Sequence, residues 1–267
     1  MFDAELKAPD GTYYRVAGSG PPVVLLHGLG LDHQMWCRQV AGLHEHHKVV
    51  AIDLLGHGKS LHAKADVSLD DLVTQVTAVL THSDLQAATL VGFDLGGLVA
   101  MSTAAMHPEK VAAVALISTP HGRLKAQRDL AKQRVSQAAR YGPQANADSA
   151  IQRWFSAAFQ VKDEATVQAI RERIAGNDPD SYLAMSKLAA DADKQTANYA
   201  RSVLCPALVM CGALDGDSTP SMARHLAGAL NRSKLMIVPR QRHMLPLEAD
   251  TLVNDAVAEL VQRGAAT

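Results

Sequence analysis

Cysteine is scarce in this chain, charge of one sign does not dominate, and no long apolar run occurs. Each absence removes a class of protein. The 267 residues include three cysteines, Cys37, Cys205 and Cys211, an odd number without the spacing of a metal site. Cys205 and Cys211 bracket one strand-like run, where buried free thiols are common, so reduced cysteines in a cytoplasmic protein are expected. Lysine and arginine number 26 against 27 aspartates and glutamates, a net charge of −1. Neither a nucleic-acid groove nor an anionic membrane surface is therefore expected as a partner. No stretch approaches the ~20 apolar residues of a membrane span. The opening Met1-Phe2-Asp3-Ala4-Glu5 lacks the basic-then-apolar layout of a signal peptide. Internal repeats and low-complexity segments are also missing.

What is there is an ordinary globular composition, 48% apolar and 20% charged, long enough for one large core with a subdomain. A turn at Gly11-Thr12 and a short strand from Tyr13 to Val16 suggest an antiparallel start. Continuous apolar runs follow at Pro22–Leu26, Val49–Ile52, Ala88–Val91, Val111–Ile117, Ala207–Cys211 and Leu235–Val238, as expected of strands buried on both faces. Between them lie helical patterns. Ser68-Leu69-Asp70-Asp71 opens one with a capping-box-like signal, continued by Leu72, Val73, Val76, Val79 and Leu80. Leu98 to Ala105 is the next. This alternation predicts an α/β fold with a mostly parallel sheet and right-handed crossovers. Between Thr119 and Arg201 no strand-like run appears, only amphipathic segments such as Glu164 to Ile174. The expected organisation is a core from 1–119 and 204–267, with a helical cap at 120–203 over the sheet edge, where α/β folds bind ligands.

Four features follow one another along the chain. His27-Gly28-Leu29-Gly30 follows a strand. Val91-Gly92-Phe93-Asp94-Leu95-Gly96-Gly97 joins a strand to a helix, in the G-x-S-x-G pattern with aspartate in place of serine. Gly212-Ala213-Leu214-Asp215 leaves a third strand, and His243 lies just beyond the last. Other groups carry less. Gly56 and Gly58 lack the third glycine of a dinucleotide loop, and no cofactor is expected. His44, His46 and His47 read as a solvated helix end, and no metal site is expected. Trp36, His121, Trp154 and Tyr182 are candidates to line a substrate pocket, although core or cap packing explains aromatic residues as readily.

On these residues the chain resembles the α/β-hydrolase-fold enzymes over essentially its full length. The match includes the His-Gly loop, Asp53-x-x-Gly56-x-Gly58-x-Ser60, the elbow at Asp94, the strand-end acid and the late histidine. Outside residue 94, including His243-Met-Leu-Pro-Leu-Glu248, it is most similar to the 3-oxoadipate enol-lactonase and carboxylesterase group, which normally carries serine at the elbow. Aspartate there is similar to epoxide hydrolases and haloalkane dehalogenases. The resemblance implies Asp94 as nucleophile and the backbone N–H groups of Leu29 and Leu95 as an oxyanion hole. It implies His243 as general base with Asp215 orienting it; Asp217 competes for that last role. His27 is expected to shape the oxyanion loop rather than move protons.

A free aspartate titrates near ~3.9 and is ionised at neutral pH without a base. Its carboxylate attacks an sp³ carbon by displacement and becomes an alkyl ester, which His243-activated water hydrolyses. Attack on an ordinary ester would give a mixed anhydride, a poorer route. Carboxylates around His243 are expected to raise its pKa. The accessories differ from both Asp families. Gly30 stands where epoxide hydrolases place proline, and Tyr141 and Tyr182, candidates for their cap tyrosines, sit in no matching motif. Leu95 stands where haloalkane dehalogenases place a halide-holding tryptophan, and Leu29 where they place a second donor. The arginines of fluoroacetate-type dehalogenases are absent from Leu95 to Met101. The expectation is thus an Asp94 hydrolase of a small organic molecule. The alternatives are an enol-lactonase-like esterase scaffold whose serine is replaced, naturally or by engineering, and a non-catalytic small-molecule binding protein. A homo-oligomer is left open.

Overall fold

The computed structural model describes residues 2–266. Among these residues one eight-stranded sheet forms the centre, in the spatial order β1-β2-β4-β3-β5-β6-β7-β8. The strands are β1 (Ala4–Lys7), β2 (Tyr13–Ala17), β3 (Pro22–Leu26), β4 (Lys48–Ile52), β5 (Ala88–Phe93), β6 (Val111–Ile117), β7 (Ala207–Gly212) and β8 (Ser233–Val238). Antiparallel pairing is confined to β1–β2 and β2–β4, and every other neighbour is parallel. The antiparallel start and the parallel body are both as the sequence pattern predicts. β5 and β7 are buried at every position, which is why they read as unbroken apolar runs.

Because successive strand residues face opposite sides, each strand feeds two cores. Val24, Leu26, Val50, Ile52, Leu90, Val114 and Leu116 pack on one face, while Val23, Leu25, Val49, Ala51, Val91, Ala115 and Ile117 pack on the other. The helices that cover these faces are α1 (Cys37–Leu43), α2 (Leu69–His82) and α3 (Leu95–Met106), with α10 (Pro220–Ala229), α11 (Leu245–Glu248) and α12 (Asp250–Ala265) after β7. α2 starts as its sequence signals. The Ser68 hydroxyl accepts from the Asp71 N–H at 3.2 Å, and the Asp71 carboxylate accepts from the Ser68 N–H at 2.8 Å.

Between β6 and β7 the chain forms only helices: α4 (Lys125–Tyr141), α5 (Gln144–Trp154), α6 (Ala157–Lys162), α7 (Glu164–Ala175), α8 (Pro179–Gln195) and α9 (Tyr199–Ser202). β6 and β7 nonetheless pair directly, from Val114↔Ala207 to Ile117↔Met210. Because this pair is parallel, the helical excursion leaves at the carboxyl edge of the sheet after Ile117 and crosses back to the amino edge to enter β7 at Ala207. α5 and α7 join one core through Ile151, Phe155, Ile170 and Ile174, and α8 joins the other through Met185 and Leu188. α4 buries only Ala138. Among the described residues no helix is long and apolar enough to cross a membrane.

Candidate active site

The strand-to-helix turn at residue 94 is sharper than the sequence pattern suggests. α3 begins at Leu95, immediately after β5 and one residue, Asp94. Asp94 adopts φ 50° and ψ −114°, a region that non-glycine residues rarely occupy. Its N–H donates to Ile117 O at 3.0 Å, and its carbonyl accepts from Gly97 N at 3.0 Å. So tight a turn brings helix backbone onto strand backbone. A Cβ at Gly92 would overlap the Gly96 carbonyl, and one at Gly96 would overlap the Leu26 carbonyl, so glycine is required at both places. The half-buried Asp94 side chain faces the His-Gly loop, and its Oδ2 accepts from the Leu29 N–H at 3.3 Å. Leu95, the other expected donor, is the first residue of α3, where N–H groups have no acceptor within the helix.

Two buried histidines hold that loop. His27 Nδ1 donates to Gly28 O at 2.8 Å, while its Nε2 accepts from the Leu54 N–H at 2.9 Å. His57 Nδ1 donates to Leu55 O at 3.0 Å, while its Nε2 accepts from the Gly30 N–H at 2.9 Å. A carbonyl can only accept and an amide N–H only donate, so both rings are neutral with the proton on Nδ1. Burial enforces this by pushing their pKa values down to about 3 for His27 and about 4 for His57. His27 thus shapes the loop, as expected. His57 does the same and was not singled out in the sequence, although it stands between Gly56 and Gly58. Gly30 has φ +76°, a conformation closed to proline, which gives a physical reason for the departure from the His-Gly-x-Pro pattern.

His243 lies on the loop from β8 to α11 and is almost fully buried. Its Nδ1 donates to Asp215 Oδ2 at 2.8 Å. Asp215 Oδ1 accepts from the Asp217 and Ser218 N–H groups, both at 2.9 Å. The main chain of His243 is fixed as well. Its N–H donates to Trp154 O at 3.1 Å, and its carbonyl accepts from the Ser118 hydroxyl at 2.8 Å. The ring packs against Phe93 and Trp154, with centroids 4.8 Å and 5.6 Å away. Between the two candidate acids, the hydrogen bond goes to Asp215. Asp217 is instead engaged by Arg134, Arg153 and the Trp154 indole.

Burial opposes charge on His243, but Asp215, Asp94 and Asp217 together push its pKa up to about 9. An ordinary histidine titrates at 6.5, so the ion pair stabilises the fold fully below that pH and is lost as pH rises through about 9. On the order of 3 kcal/mol of stability is expected to disappear over this window. Denaturant unfolding of the native chain and Asp215→Asn checks this. The native chain should lose stability from pH 6.5 to 9, and the variant should show a much flatter dependence. Equal pH slopes would refute the assignment.

A cavity of about 390 Å³ opens over the elbow, lined by Leu29, Asp94 and His243 from below and by Arg134, Arg153 and Tyr182 from the helices above. Of the four aromatic candidates, Trp154 and Tyr182 line it. Trp36 does not. It closes the 3₁₀ turn His33–Trp36 and is fully buried in the core around Leu25 and Val40. His121 is buried instead in the electrostatic environment of Asp193 and His225. Tyr141, at the end of α4, is 63% exposed, so of Tyr141 and Tyr182 it is Tyr182 that lines the cavity. Residues the sequence reading missed are Arg134, Arg153, Asn146 and Ser186 on the cavity wall. Ser118, a non-glycine residue with φ 47°, was also missed, though it orients His243.

Comparison with known proteins agrees with this architecture. A family model described as alpha/beta hydrolase fold matches residues 21–250. The chain is 27% identical to the (E)-2-((N-methylformamido)methylene)succinate hydrolase of Acinetobacter baylyi, over 92% of each chain. It is 26% identical to 3-oxoadipate enol-lactonase 2 of the same organism, over 91% of this chain and 89% of that protein. Among solved structures, the enol-lactonase from Burkholderia xenovorans LB400 superposes with a TM-score of 0.87 at 27% identity, covering 97% of this chain and all of that one.

Proposed function

The chain belongs to the α/β-hydrolase fold family, and from that membership we propose that it is a hydrolase whose Asp94 carboxylate attacks an sp³ carbon of a small organic substrate. The single observation that carries this reading is the Asp94 carboxylate at the strained elbow, with one oxygen already against the Leu29 N–H. A serine elbow needs its base to remove a proton before attack. Asp94 needs none.

In the first step a carboxylate oxygen of Asp94 forms a C–O bond to the substrate. The bond from that carbon to halide or epoxide oxygen breaks, and the leaving group takes the electron pair. In the second step His243 Nε2 takes a proton from water, and the hydroxide adds to Cγ of the Asp94 ester. The Leu29 and Leu95 N–H groups stabilise the resulting oxyanion, each worth roughly 3–4 kcal/mol. Breakage of the bond from Cγ to the alkyl oxygen, which takes the proton of the added hydroxyl, releases the alcohol and restores the carboxylate, while the proton on His243 passes to the alkoxide left by the epoxide or, with a halide, to solvent. Charge links the two steps. Asp94 is one of the carboxylates that raise the His243 pKa, and esterification removes its charge. The base therefore becomes easier to deprotonate at the step that uses it.

Single turnover in ¹⁸O-water tests this across a panel of epoxides and haloalkanes. Label is expected in the peptide that contains Asp94, because water attacks the enzyme ester. Demonstrated turnover with no label in Asp94 would overturn the reading. A second reading starts from the relatives, an (E)-2-((N-methylformamido)methylene)succinate hydrolase and a 3-oxoadipate enol-lactonase. In it the same cavity hydrolyses an ester or lactone, and Asp94 stands in the place of a serine.

A further inference from the structure

Arg134 on α4 and Arg153 on α5 converge on one carboxylate at the cavity wall. Arg134 Nη1 donates to Asp217 Oδ1 at 3.0 Å, and Arg153 Nε donates to Oδ2 at 3.0 Å. The Trp154 Nε1–H donates to the same Oδ2, also at 3.0 Å. Burial works against ionisation of Asp217, but Arg134, His243 and Arg153 hold its pKa at about 2. The carboxylate is thus charged, and it balances one of the two guanidinium groups.

The donors left over decide the matter. Asp217 engages Nη1 of Arg134 and Nε of Arg153, while Arg134 Nε turns back to Leu130 O at 3.4 Å. Arg134 Nη2 and both Nη groups of Arg153 have no acceptor among the described residues. Both side chains line the cavity that holds Asp94 and remain 31% and 30% exposed. Arg123, a third arginine on this wall, differs: its guanidinium is bound to Asp193 and to Ala189 O. Two neutral groups on the same cavity, Asn146 and Ser186, are 4% and 6% exposed and lie against the Tyr182 hydroxyl. The Asn146 amide is oriented by its Nδ2, which donates to Arg134 O at 3.1 Å.

We propose that this wall is an anion subsite for a substrate with a single carboxylate, held on the free Nη groups of Arg153 and Arg134, and that Asp217 sets the limit of one charge. Forked guanidinium donors match a carboxylate's geometry. Two guanidinium groups with one internal carboxylate leave one positive charge to neutralise. A second substrate carboxylate would meet Asp217 on the wall and Asp94 below it, both negative. The inference rests on this cavity being the reaction site, but it concerns binding and needs no turnover.

The test is equilibrium binding of butyrate, butyramide and succinate to the native chain and to Arg153→Gln, Arg153→Lys and Asp217→Asn, each checked for native melting. Butyrate is expected to bind at least about tenfold more tightly than butyramide, as a charge-assisted contact is stronger than a neutral one. Arg153→Gln should erase most of that preference, and Arg153→Lys should keep part of it. Asp217→Asn should improve succinate binding more than butyrate binding. Equal affinity for butyrate and butyramide, or a folded Arg153→Gln with the preference intact, would overturn the anion subsite. Succinate and butyrate affected alike by Asp217→Asn would overturn the role of Asp217. None of these outcomes touches Asp94, whose role the isotope experiment decides separately.

Discussion

Asp94→Ala lowers turnover of an epoxide or alkyl halide by at least about 10³-fold, because the only bond made to carbon in the first step is lost. The fold should tolerate the change. The Asp94 side chain makes one long hydrogen bond, 3.3 Å to Leu29 N, and its charge is one of three carboxylates beside His243. Steady-state kinetics with a melting curve for each variant checks both halves. Asp94→Ser separates the two functional readings. Under the alkyl-ester reading, serine leaves epoxide or halide turnover as low as alanine does. Under the lactonase reading, serine creates hydrolysis of short p-nitrophenyl esters, since His243 and Asp215 already form the pair a serine needs. Retained epoxide or halide turnover in a pure, folded Asp94→Ala would sink the nucleophile assignment.

His243→Gln is expected to give a different defect of comparable size. The carboxylate of Asp94 still attacks, but no base remains to activate water. Multiple turnover should fall by roughly 10²–10⁴-fold, while one equivalent of product from the first step forms quickly. Intact-mass measurement should find the substrate's alkyl group on the protein, and digestion should place it on Asp94. Asp215→Asn should accumulate less of this adduct, because it disturbs the orientation of the base without removing it. Loss of the first step together with the second, with no adduct at any time, would mean that His243 acts before carbon is attacked.

Much of this was legible in the sequence because strands and elbows are short-range objects. β3, β5, β6 and β7 announce themselves as apolar runs, and the Gly92 and Gly96 that the turn requires stand two residues to either side of Asp94. His243 and Asp215 were found for a similar reason, since each sits just past a strand end. The resemblance already preferred Asp215 over Asp217, but both occupy one short loop, and it is the fold that shows Asp215 against the ring. The cavity wall was the least legible part. Arg134 and Arg153 lie in the strand-free stretch between Thr119 and Arg201, and the helix-to-helix contacts that turn them inward leave no local mark. Trp36 failed in the opposite sense. It is aromatic and near the His-Gly loop, but the 3₁₀ turn aims it into the core. α12 went unremarked in the sequence, although its buried Val253, Val257, Leu260 and Val261 fall at helical spacing.

The end of α5 has an evolutionary consequence. The carbonyl of Trp154 receives the N–H groups of both His243 and Met244, at 3.1 Å each, and its indole donates to Asp217. One residue of the substrate-facing wall is therefore also a strut for the base. Selection that reshapes α5 to admit a new substrate must disturb the histidine at the same time, so new specificity gained there carries a loss of speed. α4 carries no such tie to the His243 backbone, with Ala138 as its one buried residue and Arg134 as its link to the wall through Asp217. Change should therefore accumulate first at the α4 positions other than Arg134, and α5 should change late, in pairs with the segment around His243.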